Sequence, residues 1–90
     1  MAKAVVDPDE LRRFATELQR FNVDLQERAA TLNHQFSRLG ESWRDQEHVK
    51  FGEEFKQMVA ALAKFVDASE RHVPVLMRKA ERIRDYLDQR

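Results

Sequence analysis

The residues best able to hold a metal or move protons near neutral pH are three histidines, His34, His48 and His72, and they are widely spaced. His34 and His48 flank a glycine-containing segment and would approach each other if the chain reverses there, with Glu47 nearby, which is the donor chemistry of a zinc site. Ordinary surface histidines account for the same spacing and are the reading adopted. The chain has no cysteine, so it offers neither a thiol nucleophile nor a disulfide, and a reducing or an oxidising compartment suits it equally. No stretch resembles a nucleophile elbow or a phosphate-binding loop, so the sequence implies no catalytic residue, no metal, no cofactor and no small-molecule substrate. The C-terminal run "RKAERIRDYLDQR" places Arg78, Lys79, Arg82 and Arg84 on an amphipathic pattern that would suit a membrane surface or an acidic partner. Glu81, Asp85 and Asp88 interleave with those charges, and a solvated helix face is the simpler account.

With chemistry of that kind set aside, the elements themselves carry the reading. Ninety residues make one small domain whose single core is marginal without added buried surface, which points to self-association or a partner. Apolar residues are 42% of the chain and charged residues 36%, with two glycines and two prolines, a profile of long amphipathic helices. Basic and acidic residues number 16 each, so no global field draws the chain to nucleic acid or to an anionic membrane. The N-terminal "MAKAVVDPDE" lacks a signal-peptide core and no apolar run reaches the ~18 residues of a membrane span, so any export is expected to use a leaderless route.

"DPDE" predicts a helix start, with Asp7 as cap, Pro8 at the first helical position and Asp9 and Glu10 facing the positive end of the helix dipole. Leu11, Leu18, Leu25, Leu32 and Leu39 then recur at every seventh residue, flanked by Phe14 and Phe21 and, one heptad position later, by Ala29 and Phe36. A leucine zipper that grips DNA would need a basic region before this column, and only Lys3 precedes the cap. Gly40 predicts the helix end, through a left-handed turn. Helix one is thus expected over about 8–39, a turn over about 40–44, and helix two over about 45–88, capped by Ser42 or Asp45. The stripe of helix two is Phe51, Phe55, Met58, Leu62 and Phe65, continuing as Val66, Val73, Leu76, Ala80, Ile83 and Leu87. Pro74 removes an amide that would bond to Glu70, which predicts a kink or a short break. So short a connection makes the helices an antiparallel hairpin, an all-α fold. Folding about residues 40–44 sets Leu11 level with residue 73, leaving Val75, Leu76, Met77, Ile83, Tyr86 and Leu87 for another chain or a fold-back to cover.

Both glycines and the only tryptophan lie in "RLGESWRDQEHVKFGEEF". Phe36 and Leu39 end one stripe and Phe51 begins the other, so the Trp43 indole is expected to seal the end of the hairpin core. Two amphipathic helices joined by a tryptophan-centred turn resemble the Trp-Xaa-Gly family of small type VII (ESX) secretion substrates, and the likeness covers nearly the whole chain. Trp43 matches the family's tryptophan. Asp45 stands where the glycine would be, and aspartate also caps helices and tolerates turns. Val66, Glu70, Val73 and Met77 match the family's apolar, acidic, apolar, apolar pattern of helix two. The family's tail signal, a tyrosine followed four residues later by an acidic residue, is unmatched, because Tyr86 is followed at that spacing by Arg90. The resemblance implies a non-enzymatic hairpin that forms a four-helix bundle with itself or a related hairpin, is exported without a leader, and is read by a secretion ATPase. Trp43, Glu70 and Tyr86 are its expected recognition residues. A cytoplasmic adaptor that lays the same stripes on a larger helical partner is the alternative from a different class.

Overall fold

A computed structural model of the chain describes residues 6–89, and among them there are two helices and no strand. The first, α1, is Pro8–Leu39, and the second, α2, is Gln46–Asp88. They run antiparallel as an extended hairpin of 68 × 24 × 15 Å.

Local chemistry accounts for each helix end. Asp7 sits in extended conformation before α1, and its carboxylate accepts a hydrogen bond from the amide of Asp9 at 2.9 Å. Pro8 follows at the first position, where its missing amide costs nothing. Of the two candidate caps for α2, Asp45 takes the role: it is extended, and its carboxylate accepts from the amide of His48 at 3.1 Å. The end of α1 departs from expectation. Gly40 is right-handed, with φ −65° and ψ −13°, and no described residue has positive φ. Glycine relieves crowding there, since a Cβ would come within 3.3 Å of both the His48 ring and the Ser37 carbonyl and His48 would have to give by a few tenths of an ångström.

The register also differs from symmetrical folding about the turn. The turn stays wound onto the end of α1, the Leu39 carbonyl accepting from the amides of Ser42 at 3.1 Å and Trp43 at 2.9 Å. Consequently α2 starts past the end of α1, and His48 packs level with Gly40. At mid-hairpin Asn22 meets Ser69, and at the open end Asp9 pairs with Arg84, about two helical turns further along α2 than predicted. The sequence therefore overstated what α1 leaves bare. Val73 and Ala80 are buried, and Leu76, Met77, Ile83 and Leu87 are half-buried, while Val75 and Tyr86 stay exposed.

α2 is continuous through Pro74, so of the expected kink or short break the break does not occur. Val73 and Ala80, buried on either side of it, anchor both flanks to α1, and the missing bond to Glu70 falls within a helix held by packing rather than by its backbone alone.

The core is a thin seam. On α1 the buried positions are Pro8, Ala15 and Asn22, with Ala29 and Phe36 half-buried at the next two heptad steps. They meet Phe55, Val66, Ser69, Val73 and Ala80 of α2. The leucine column lies beside this seam: Leu11, Leu18 and Leu25 are half-buried, and Leu32 and Leu39 are exposed. Small residues at the seam bring the helices close, and the larger ones are displaced to its side.

Candidate interaction surface

Six of the twelve large apolar side chains that face solvent among the described residues fall on one face. Phe14 is 57% exposed, Phe21, Leu32 and Leu39 follow along α1, and Met58 and Phe65 lie beside them on α2. The rings of Phe21 and Phe65 meet edge-on at 6.2 Å between centroids, which fixes these two rows on the same side of the hairpin. Phe14, Leu18, Phe65, Ala68, His72 and Leu76 enclose a shallow apolar depression further along it. These side chains form an exposed apolar band along one side of the hairpin. Of the residues expected at a packing or dimer interface, Phe55 is buried within the chain. Leu11, Leu18, Leu25, Phe36, Leu62, Leu76 and Ile83 are half-buried, and Phe14, Phe21, Leu32, Phe51, Met58 and Phe65 are exposed.

The turn forms an aromatic cluster. Trp43 is half-buried and contacts His48 at 4.9 Å and Phe51 at 6.3 Å between ring centroids. Phe36 stacks on His48 at 4.9 Å and meets Phe51 and Phe55 at 5.6 and 5.1 Å. Such pairs contribute about 0.5–1.5 kcal/mol each beyond buried area. Gly52 makes room for the cluster, because a Cβ there would come within 3.3 Å of the Phe36 ring. His48 is therefore no surface histidine: it is half-buried and its Nε2 has no hydrogen-bond partner. No group of three or more His, Cys, Asp or Glu is placed to hold a metal among the described residues.

Trp43, Glu70 and Tyr86 are not brought together within one chain. Trp43 lies at the turn, Glu70 near mid-hairpin close to the level of Asn22, and Tyr86, 68% exposed, towards the open end; Arg90 lies outside the described residues. At that open end the Arg84 guanidinium donates a hydrogen bond to Asp9 and, with its charge, holds the Asp9 carboxyl below the usual carboxylate range. The same contact raises Arg84 above its ordinary value.

Sequence patterning did not single out Asn22 and Ser69. Asn22 is fully buried, and its Nδ2 donates to Ser69 Oγ at 2.9 Å while its Oδ1 has no partner. The signal available was positional: Asn22 shares a heptad position with Ala15, Ala29 and Phe36.

A capped two-helix hairpin with one exposed apolar face is, as a class, an all-α helical hairpin. More narrowly, the chain belongs to the WXG100 family, described as proteins of 100 residues with WXG, whose family model matches residues 4–86. Among solved structures, the wild-type secreted protein EsxB of Bacillus anthracis str. Sterne is similar at 26% identity with a TM-score of 0.77, covering 94% of this chain and 99% of that one. A glycine-to-alanine mutant of that secreted protein is similar at 26% identity with a TM-score of 0.74, covering 93% of this chain and 97% of that one. A search of curated proteins returned no match. Asp45, in the place of the motif's glycine, caps α2 directly, so the turn closes without that glycine.

Proposed function

We propose that this chain is a non-enzymatic hairpin that pairs, through the Phe14–Phe65 face, with a second copy or a related hairpin, and that the resulting four-helix bundle is the unit exported by a type VII route. The observation that carries the reading is the unpartnered apolar face, on a chain of a family whose solved relatives include secreted proteins. Recognition by a secretion ATPase is assigned to the Trp43 turn together with the Tyr86 end of the partner, which adjoin if the two hairpins lie antiparallel. Because Arg90 replaces the acidic residue of the tail signal, that signal is assigned to the partner or to a different export apparatus.

Two measurements test this. The purified chain should associate at micromolar concentration by light scattering, and Phe21→Glu with Phe65→Glu should leave it a helical monomer. Trp43→Phe and Tyr86→Ala should keep helicity and association but reduce appearance in culture medium. A stable monomer of the unaltered chain would overturn pairing with a second copy. Retention in cells without lysis-independent release would favour the adaptor, and normal export of both variants would reduce Trp43 to a structural plug.

A further inference from the structure

The hairpin has a second concavity, away from the Phe14–Phe65 face on which the proposed pairing rests. Going round α1 from Phe14, Phe21 and Leu32, the row Gln26, Ala30 and Asn33 lies roughly 130° away at ~100° per residue. There a groove of about 440 Å³ lies between the helices. Ala29, Ala30 and Ala63 keep it open where larger side chains would close it, and Leu62 and Val66 line its apolar wall. It runs beside residues 25–33 of α1 and 59–70 of α2, which at ~1.5 Å per residue is about three turns of helix.

Its charge is one-sided. Asp67 and Glu70 line the end away from the turn, and no lysine or arginine lines any part of it. Asp67 is paired with Arg71, whereas Glu70 takes part in no salt bridge among the described residues. An apolar trough parallel to two helices, floored by alanines and ending in a free carboxylate, has the shape and charge of a seat for one more helix. We propose that this groove docks a single amphipathic helix of about three turns, bearing apolar side chains one turn apart and a lysine or arginine a further turn on, set against Glu70. The groove faces outward when the Phe14–Phe65 face is covered, so this docking adds to pairing and does not compete with it.

The test uses the full-length chain and two labelled synthetic helical peptides of about three turns, each with two leucines one turn apart and then either lysine or glutamate a turn further on. Fluorescence anisotropy should show the lysine peptide binding about fivefold more tightly than the glutamate peptide, as expected for a solvent-exposed ion pair replaced by repulsion. Glu70→Lys, at an exposed position, should reverse that preference, and Ala63→Phe should abolish binding of both peptides. Light scattering on the same samples should show an unchanged association state, which separates this test from that of pairing. Equal affinity for the two peptides, no binding of either, or undiminished binding to Ala63→Phe at unchanged helicity would each overturn the proposal.

Discussion

The Asn22–Ser69 contact makes the sharpest test of how this hairpin holds its register. Asn22 is fully buried, Ser69 nearly so, and a 2.9 Å hydrogen bond joins them, yet the second amide hydrogen and the carbonyl oxygen of Asn22 gain nothing from it. That oxygen has no partner. A hydrogen bond of this kind contributes about 0.5–1.5 kcal/mol, whereas a buried polar group left unpaired costs about 1–3 kcal/mol. Ser69→Ala alone strands the Asn22 amide and should destabilise by about 1–3 kcal/mol. Asn22→Leu keeps the volume, removes the unpaired oxygen, and leaves a serine hydroxyl that can turn back to the carbonyl four residues earlier, so it should be neutral or stabilising by up to about 2 kcal/mol. In the presence of Asn22→Leu, Ser69→Ala should then change stability by only a few tenths of a kcal/mol.

Urea denaturation followed by helicity, at one fixed protein concentration because association contributes to stability, gives all four corners of this cycle. A coupling of about 1–3 kcal/mol is expected. Equal costs of Ser69→Ala in both backgrounds would refute the reasoning, since the hydroxyl would then not be satisfying the amide. The contact should also pin the register, as single buried polar residues do in coiled coils. The chain has no cysteine, so Glu27→Cys with Lys64→Cys introduces a clean pair of spin-label sites on opposite helices. Their distance distribution should broaden when Asn22→Leu and Ser69→Ala are combined, even as the midpoint rises.

Other consequences concern the ends of the helices. Asp7→Ala removes the carboxylate that accepts the Asp9 amide and should lower stability by roughly 1 kcal/mol in urea denaturation; an unchanged midpoint would exclude the cap. Asp45→Gly restores the family's motif at the cost of the bond to the His48 amide, and should lower stability by only a few tenths of a kcal/mol, whereas Asp45→Ala should cost about 1 kcal/mol. Asp9 titrates below its ordinary value because of Arg84, so the contact contributes stability above the unfolded-state carboxylate pKa and loses it as pH falls through the lowered folded-state value. Carboxyl NMR titration should find the Asp9 value moving up towards that of a free carboxylate in Arg84→Gln, and no movement would mean that the open end is not closed by this pair.

Much of the architecture was legible because it is written in short-range chemistry. Asp7 and Pro8 set one helix start, Asp45 the other, and the apolar period of both segments allows nothing but helix. The register was not legible, because it depends on how far α2 overshoots α1, and that is set by Trp43 and His48 packing around Gly40 in a turn whose geometry no periodicity encodes. The end of α1 was misread for a related reason: glycine signalled a left-handed residue by habit of type, while the residue is right-handed and a Cβ there would crowd His48.

The misplaced seam has a physical cause that bears on function. A helix that packs against one neighbour centres its apolar stripe on that neighbour, so the leucine column should have been the intramolecular contact. Here the contact centres on Ala15, Asn22 and Ala29, to one side of the leucines, while Phe14 and Phe21 lie on the other side. The stripe is wider than one neighbour requires, and its most hydrophobic centre belongs to neither edge. That displacement is what two contacts on adjacent flanks of α1 produce, one made by α2 and one left open. The small and polar residues serve the first, where close approach and a buried hydrogen bond set the register. The large aromatic residues serve the second, where burying each side chain is worth about 1.5–3 kcal/mol only once a partner arrives. A hairpin built this way keeps a thin core of its own and leaves much of its apolar surface exposed, as the proposed pairing requires. That also explains why ninety residues with so narrow an internal seam carry so many exposed phenylalanines.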